Sequence, residues 1–163
     1  MTEAQGQSIQ EQFMQAAIAL SFTTMRENRG GPYGAVVVKN GQIIGSGMNE
    51  VTSLNDPTAH AEMTAIREAC KTIGSWQLTG CELYTSCEPC PMCMAAAYWA
   101  RLERVYFGNS KEDAGRYGFG SQSIYDQLGL PHAERQLPMI PFMQEEALEA
   151  FEEWANKADK KGY

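Results

Sequence analysis

Four residues in two short segments constrain this chain more than any others: His60 with Glu62, and Cys90 with Cys93. An imidazole and two thiolates are typical zinc ligands, but structural zinc sites are normally closed by four protein ligands. Three protein ligands leave one coordination position for water, which is the arrangement of catalytic zinc sites. The fold must therefore bring two segments that are distant in the chain to a single point.

Glu62 is the carboxylate that this arrangement leaves unligated. A bound zinc ion lowers the pKa of a coordinated water to about 7, and a neighbouring carboxylate can move its proton to a substrate. The order His-x-Glu followed by Pro-Cys-x-x-Cys is a known signature of zinc-dependent nucleobase deaminases. The motif predicts hydrolytic deamination, with Glu62 as the catalytic residue and one Zn²⁺ per chain held by His60, Cys90 and Cys93.

The composition predicts one compact domain that spans residues 1–163. A chain of 163 residues, 44% of them hydrophobic, can bury a single sizeable core. No run approaches the ~20 apolar residues of a membrane span, so no membrane partner is expected. The polar N-terminus lacks the pattern of a secretory signal, which favours the cytoplasm. Five cysteines in that reducing compartment indicate metal ligands or buried thiols before disulfides.

The charge balance argues against a large nucleic acid as partner. Thirteen Lys and Arg residues stand against twenty Asp and Glu, a net charge of −7. Proteins that bind a phosphate backbone usually present a basic patch, because cationic side chains release its counterions. A small, nucleobase-like substrate is therefore favoured.

Hydrophobic spacing and capping signals predict alternating helices and strands. Ser8 and Glu11 form a capping-box pattern before a helix that runs to Glu27. The remaining predicted helices are one capped by Asp56 and Pro57 that ends at Gly74, and residues 91–100, 121–128 and 144–160. The predicted strands are residues 33–39 and 42–48, joined as a hairpin by Asn40-Gly41, then 82–85, 104–107 and an edge strand at 139–143. This alternation predicts a three-layer α/β domain.

Cys87 is a further metal-ligand candidate, because Cys87, Cys90 and Cys93 share one spacing. The run resembles the start of a bacterial iron–sulfur motif, but Ala97 occupies the place of the fourth cysteine. We interpret Cys87 as a buried structural thiol. The alternative from another class, a non-catalytic zinc-stabilised binding module, would use Cys87 as a fourth ligand and would have no use for Glu62.

Several longer stretches resemble a known family. They are residues 31–38, 55–62 with 65–67, 83–93, 98–101 and 133–135, and the terminal Tyr163. These stretches are similar to the cytidine deaminase-like superfamily of zinc-dependent deaminases, and most of all to its bacterial guanine deaminases. The resemblance extends over nearly the whole chain after Phe13.

The resemblance implies an α/β/α sandwich with a central mixed five-stranded sheet. It also implies a homodimer, in that branch often with exchanged C-terminal segments, here about residues 137–163. For the substrate it implies that Asn49 hydrogen-bonds the base, that Tyr33 and His60 stack on it, and that Tyr163 closes the pocket. Ala61 and Trp99 are the other substrate-binding residues that it implies. Tyr33 stands where the family has phenylalanine, so it keeps a stacking face and adds a hydroxyl.

The chain departs from the guanine deaminase pattern at residues 119–121. The family tends to carry Phe-Asp-Asp there, and an acid of that pair helps to recognise the guanine edge; this chain has Phe119-Gly120-Ser121. A purine N–H left without an acceptor costs roughly 1–3 kcal/mol. The residues that could compensate are Ser121, Gln122, Glu112, Asp113 and Glu145.

The substrate therefore remains open within one reaction class. The resemblance favours guanine, converted to xanthine and ammonia. The alternatives are another purine, a nucleoside, cytosine, a triazine, or an adenosine in tRNA.

Overall fold

A computed structural model describes residues 8–162 of the chain. The chain divides into two compact units, one that ends at Tyr125 and one that begins at Asp126. The helices are α1 (Ile9–Arg26), α2 (Val51–Leu54), α3 (Ala61–Ile73), α4 (Pro91–Trp99), α5 (Lys111–Arg116), α6 (Gln122–Gly129) and α7 (Gln144–Asn156). A short 3₁₀ turn covers His132–Glu134. Within residues 8–162, no helix is long and apolar enough to cross a bilayer.

The first unit is built on a mixed four-stranded sheet. Its strands are β1 (Gly34–Lys39), β2 (Gln42–Met48), β3 (Cys81–Cys87) and β4 (Arg104–Asn109), in the order β2-β1-β3-β4. β1 is antiparallel to both of its neighbours, and β3 is parallel to β4. Asn40 and Gly41 turn the hairpin with φ angles of 50° and 74°, which confirms the predicted turn.

Helices cover both faces of this sheet. On one face α1 packs its Phe13 and Ala17 against a cluster of alternate strand residues, Val36, Val38 and Tyr84. On the other face, α3 packs against the residues between them, among them Ala35, Val37 and Leu83. This alternation is what a strand buried on both faces produces. The α/β class and the layering predicted from the sequence are therefore confirmed.

Two glycines of β2 let α3 approach the sheet closely. A Cβ on Gly47 would overlap the carbonyl oxygen of Ala61, and one on Gly45 would overlap the carbonyl oxygen of Ala65. Glycine is the residue that permits such backbone contact. The first turn of α3 is therefore held against β2 without intervening side chains.

The strand directions gather several connections at one edge of the sheet. β1 begins at the edge where β2, β3 and β4 end. Tyr33, Asn49, Glu88 and Ser110, which precede or follow these four strand ends, therefore come to the same side. In open α/β sheets, ligands bind outside the carboxyl ends of parallel strands. The topology thus places a site at this edge.

The second unit is held by a few hydrogen bonds of its own. The Arg135 Nε donates to the Leu130 carbonyl at 2.9 Å, and the Gln136 N–H donates to Gln127 Oε1 at 2.7 Å. Its apolar side chains are largely exposed, including Ile140 at 82% and Phe142 at 84%.

The prediction of five strands is not confirmed, because residues 8–162 contain a four-stranded sheet. Residues 139–143, the predicted edge strand, are irregular. Pro138 and Pro141 explain the error, since a proline has no N–H to donate to a strand ladder. The terminal helix also ends at Asn156, before the predicted end at residue 160.

The predicted cap of the second long helix was also wrong. Asp56 accepts hydrogen bonds at Oδ1 from the N–H and hydroxyl of Thr58, at 2.8 and 2.7 Å, and so closes a turn instead of a helix. The helix begins later, with His60 as its N-cap. The short helices α2 and α5 were not predicted. The capping box of Ser8 and Glu11 is confirmed.

Candidate metal centre and the adjoining cavity

The predicted zinc ligands meet where two helices begin. His60 is the N-cap of α3, and Cys90 is the N-cap of α4, with Pro91 at the first helical position. Cys93 lies in the first turn of α4 and is fully buried. Helix N-termini carry unpaired N–H groups and partial positive charge, which favours thiolates. The two segments required by the motif are thus joined at the sheet edge.

The spacing of the three ligand atoms fits a zinc ion. His60 Nδ1 lies 3.6 Å from Cys90 Sγ and 3.6 Å from Cys93 Sγ, and the two sulfurs are 3.7 Å apart. A tetrahedral ion with zinc–sulfur bonds of about 2.3 Å and a zinc–nitrogen bond of about 2.05 Å places the sulfurs about 3.8 Å apart and each sulfur about 3.6 Å from the nitrogen. The residues are therefore positioned to hold one metal ion.

The two ligand thiols are coupled to each other by a hydrogen bond. The hydrogen bond from Cys93 and the proximity of His60 lower the pKa of Cys90 to about 4. The same hydrogen bond to Cys90, together with burial, raises the pKa of Cys93. The hydrogen bond with Cys90 also raises the pKa of His60. The lowered pKa of Cys90 favours its thiolate, which is the form that binds zinc.

Glu62 lies beside the ligand group without belonging to it. Its side chain is 5% exposed, and its Oε2 lies 3.5 Å from Cys93 Sγ. Burial raises the pKa of Glu62 above the ordinary value of a glutamate. A buried carboxyl group beside an open coordination position is suited to hold and release a proton.

Cys87 stays outside the ligand group. Its Sγ lies 3.8 Å from the carbonyl oxygen of Ser110, to which it donates a weak hydrogen bond. Burial raises the pKa of this thiol to about 11. Among residues 8–162, the cluster able to hold a metal comprises His60, Cys90 and Cys93 without it. The interpretation of Cys87 as a buried thiol agrees with this geometry.

A cavity of about 430 Å³ opens beside the metal ligands. His60, Glu62 and Cys90 line it, and so do Asn49 and Tyr33. The Asn49 Oδ1 accepts hydrogen bonds from the backbone N–H groups of Gly31 and Val51, at 3.1 and 3.4 Å. The amide oxygen is therefore occupied, and the NH₂ group is the part of Asn49 that can donate to a ligand.

The ring of Tyr33 is fixed by its neighbours. It packs against the core and meets Phe119 edge to face, with the ring centroids 5.7 Å apart. Burial raises the pKa of its hydroxyl to about 12, so the group remains a protonated donor at neutral pH. The structure thus places Tyr33 in the cavity wall.

Three other predicted binding residues are placed less directly. Ala61 is the first residue of α3, and its side chain is fully buried. Its backbone N–H, at the first helical position, has no partner within the helix. Trp99 lies at the far end of α4, is 66% exposed and does not line the cavity. Tyr163 lies outside the residues that the structure describes.

Two charged residues that the sequence analysis missed also line the cavity, Glu88 and Lys111. The Glu88 Oε2 accepts a hydrogen bond from the backbone N–H of Lys111 at 3.0 Å. The Lys111 ammonium lies 5.1 Å from the centre of the Tyr125 ring. Each residue closely follows the carboxyl end of a parallel strand, which is the signal that could have identified it.

The residues named as candidates to compensate for the missing acids divide into one that lines the cavity and several that do not. Ser121 lines the cavity, whereas Glu112, Asp113 and Gln122 do not. Asp113 instead caps α5 by accepting from the Ser110 N–H and pairs with Arg116 at 3.1 Å. Glu145 belongs to the second unit. Glu88 is therefore the cavity carboxylate available besides Glu62 among the described residues.

The class of site is defined by its groups: one imidazole and two thiolate ligands, an unligated buried carboxylate and an adjoining cavity. A position left open beside three protein ligands is typical of catalytic zinc, and the carboxylate supplies an acid–base group. The fold and site together are those of a zinc-dependent hydrolytic enzyme. Residues 7–109 match the model of the family described as the cytidine and deoxycytidylate deaminase zinc-binding region, and the chain belongs to this family.

Individual relatives extend the similarity to the rest of the chain. The guanine deaminase of Bacillus subtilis strain 168 is 48% identical over 153 residues, which cover 94% of this chain and 98% of that protein. The tRNA-specific adenosine deaminase of Aquifex aeolicus is 40% identical over 126 residues, which cover 77% and 81%. The prediction of a zinc-binding deaminase is thereby confirmed.

Solved structures show the same relationship. The crystal structure of the Bacillus subtilis guanine deaminase superposes with a TM-score of 0.91 over 94% of this chain and 98% of that chain, at 48% identity. A guanine deaminase from Nitrosomonas europaea superposes with a TM-score of 0.65 at 27% identity, over 86% of this chain and 71% of that chain.

Proposed function

We propose that the chain deaminates guanine hydrolytically to xanthine and ammonia. The single observation that carries the choice of substrate is the 48% identity with a guanine deaminase over 98% of that protein. The cavity supports it, because Asn49 offers a donor to a ring acceptor and Tyr33 offers an aromatic face. The alternatives of another purine, a nucleoside, cytosine or a triazine would use the same groups.

The proposed mechanism moves protons through Glu62. A zinc ion held by His60, Cys90 and Cys93 supplies Lewis acidity, which brings the pKa of a coordinated water close to 7. The Glu62 carboxylate takes a proton from the attacking water and passes it to the ring nitrogen beside the amino-bearing carbon. Water oxygen bonds to that carbon, Glu62 delivers the second proton to the amino group, and the carbon–nitrogen bond breaks to release ammonia. The low exposure of Glu62 keeps its proton from exchanging with solvent during the reaction.

Binding of the ring is assigned to the cavity side chains. Asn49 donates its NH₂ group to a ring acceptor, and the rings of Tyr33 and His60 contact the base. The backbone N–H of Ala61 is placed to bind the substrate at the start of α3. Glu88 takes the part of the acid missing from residues 120–121, because its carboxylate lines the same cavity.

We further propose that the chain is a homodimer whose segment 137–163 is exchanged, so that residues 1–163 act as one domain. The first unit exposes Tyr98 at 77% and Trp99 at 66%, and the second unit exposes Ile140 and Phe142. Apolar surfaces of this kind favour association. In the exchanged dimer, Trp99 and Tyr163 contribute to the neighbouring subunit's pocket.

Mixed dimers test the exchange. A chain that lacks Tyr163 and a chain with Glu62→Gln each have low activity when refolded alone. Refolded together, an exchanged dimer contains one intact site that receives an intact terminus, and so it regains a fraction of the wild-type rate. Mixed dimers that remain as inactive as their parents would contradict the exchange. Analytical ultracentrifugation of the wild type tests the dimer itself.

The experiment that tests the reaction measures ammonia and xanthine released from guanine by zinc-loaded protein, with Glu62→Gln as the blank. Release in the wild type alone supports the proposal. Adenine, guanosine, cytosine, cytidine and aminated triazines in parallel assays identify any other ring. If no ammonia is released from guanine but ammonia is released from another ring, the proposed substrate is wrong and the proposed mechanism stands.

The second candidate function is deamination of adenosine in tRNA. The observation that favours it is the 40% identity with a tRNA-specific adenosine deaminase over 77% of this chain. The net charge of −7 weighs against a large nucleic acid partner. Inosine formation in a tRNA transcript, falling steeply as salt is raised, would support this candidate over guanine.

A further inference from the structure

Lys111 is the cavity residue that neither the zinc chemistry nor the proposed ring contacts use. It begins α5, where the Ser110 and Asp113 capping box fixes the backbone, and its own N–H donates to Glu88. Its ammonium rests 5.1 Å from the centre of the Tyr125 ring, and the Tyr125 hydroxyl donates to the Pro89 carbonyl at 2.9 Å. The ammonium is therefore held in place over an anchored aromatic ring.

This ammonium has no ion-pair partner in the part of the chain that the structure describes. The ion pairs there involve Arg29, Arg104, Arg116 and Lys157, each of which lies outside the cavity. The Lys111 side chain is only half-exposed. A lysine that is partly desolvated and faces only a ring gains by binding an anion.

The surroundings of Lys111 leave room for such an anion. The α5–α6 part of the cavity lining, Gly118, Gly120 and Ser121, contributes a hydroxyl and no carboxylate. The Glu88 carboxylate lies beside Lys111, where the Lys111 backbone N–H already occupies its Oε2. Apart from the metal ligand His60, Lys111 is the cationic side chain among the described lining residues, so it is the lining group that attracts an oxyanion.

The size of the cavity agrees with a ligand larger than a bare ring. Its volume of about 430 Å³ lies within the range of pockets that hold drug-sized molecules. Asn49 and Tyr33 would hold the amino-bearing ring near the metal, and the remaining space extends toward α5. Lys111 lines the same cavity, so a substituent on the ring would share that space with the Lys111 side chain.

We propose that Lys111 is a specificity-determining residue that binds a phosphate or carboxylate group attached to the substrate ring. The preferred substrate is then an amino-bearing heterocycle with an anionic substituent, which the enzyme deaminates faster than the unsubstituted or neutral ring. This inference rests on the proposed function, because it concerns the same cavity and the same reaction.

Matched pairs of guanine derivatives test the inference. Guanosine monophosphate is compared with guanosine, and carboxymethylguanine with hydroxyethylguanine, by kcat/KM for ammonia release. We expect the anionic member of at least one pair to react about tenfold faster, equivalent to about 1.4 kcal/mol. The first pair reports a phosphate and the second a carboxylate, so the pair that responds identifies the group. Raising the salt concentration should reduce the preference, since the contact is electrostatic.

Variants of Lys111 assign any preference to this side chain. Lys111→Met keeps the length and removes the charge, so it should abolish the anionic preference, and Lys111→Arg should retain most of it. Lys71→Met, an exposed lysine of α3, is the matched control and should keep the wild-type ratio. Thermal unfolding of each variant shows that it folds.

The outcomes separate the two proposals. Equal rates for both members of each pair, or an unchanged ratio in Lys111→Met, overturn the role of Lys111 while guanine turnover stands. Failure of the zinc-loaded wild type to release ammonia from every ring overturns the proposed function itself.

Discussion

The cavity has two walls that the chain builds in different ways. The metal wall, formed by His60, Glu62 and Cys90, lies at two helix starts, with the buried Cys93 behind it. The α5–α6 wall, formed by Lys111, residues 118–121 and Ile124, is half-exposed or exposed throughout. The buried wall holds groups whose positions the reaction requires. The exposed wall holds groups that can change without disturbing the core, so it is where substrate preference can diverge.

Removing a metal ligand should have the largest effect. Cys93→Ala leaves two ligands and should abolish both zinc binding and activity, with a lower melting temperature because the metal also stabilises the fold. Cys87→Ala is the matched control, since it removes a neighbouring buried thiol that is not a ligand. Zinc content by elemental analysis should fall to nearly zero in the first variant and remain one per chain in the second. Equal zinc in both variants would show that the ligand set is wrong.

Replacing the acid–base group Glu62 should have the second largest effect. Glu62→Gln keeps the shape of the side chain and removes its proton transfer, so kcat should fall roughly 10²–10⁴-fold or more. Zinc should stay at one per chain, because Glu62 lies beside the ligands and is not one of them. Steady-state kinetics with parallel zinc analysis checks both. Full activity in a zinc-loaded variant would favour the non-catalytic binding module.

Changes at Asn49 should separate its role in stabilising the fold from its role in binding the substrate. Asn49→Ala orphans the two backbone N–H groups that now bind Oδ1, so both stability and kcat/KM should fall, each by about 1–3 kcal/mol. Asn49→Asp keeps the acceptor oxygen and loses the NH₂ group, so it should raise KM while retaining most of the stability. Melting temperatures and KM values for the pair provide the measurement. A normal KM in Asn49→Asp would remove Asn49 from substrate recognition.

The smallest effect is expected on the α5–α6 wall. Ser121→Asp returns a carboxylate to the segment where guanine deaminases tend to carry one, and because Glu88 already supplies an acid to the cavity, kcat/KM for guanine should rise by at most about tenfold. Because the segment is largely exposed, the melting temperature should change little. An effect on stability larger than the effect on kcat/KM would contradict the contrast between the two walls.

The same contrast explains how far the sequence could predict the molecule. His60, Cys90 and Cys93 were predictable because zinc dictates the residue types and their number, and because they stand in a recognisable order and spacing along the chain. Glu88 and Lys111 were not, because nothing in their own segments marks them. Their place in the cavity follows from the order and direction of the strands, which pairing decides across the whole sheet.

The errors in secondary structure have a similar origin. Asp56-Pro57 is a good helix start by local chemistry, but Thr58 captures the Asp56 carboxylate in a turn. Residues 139–143 have the composition of a strand, yet Pro138 before the segment and Pro141 within it lack the N–H donors that a strand ladder needs. In the first region a hydrogen bond that forms, and in the second the lack of hydrogen-bond donors, outweighed the secondary-structure propensity of the segment.

The two glycines of β2 have a consequence for engineering. A library that seeks a new substrate can vary Gly120 and Ser121, because both border the cavity from outside the core, whereas the φ of 83° at Gly118 favours glycine. A side chain larger than hydrogen at Gly45 or Gly47 would instead push α3 outward and carry His60 and Glu62 with it. Selection for new activity should therefore enrich changes along α5 and α6 and return β2 unaltered, even though β2 touches no substrate.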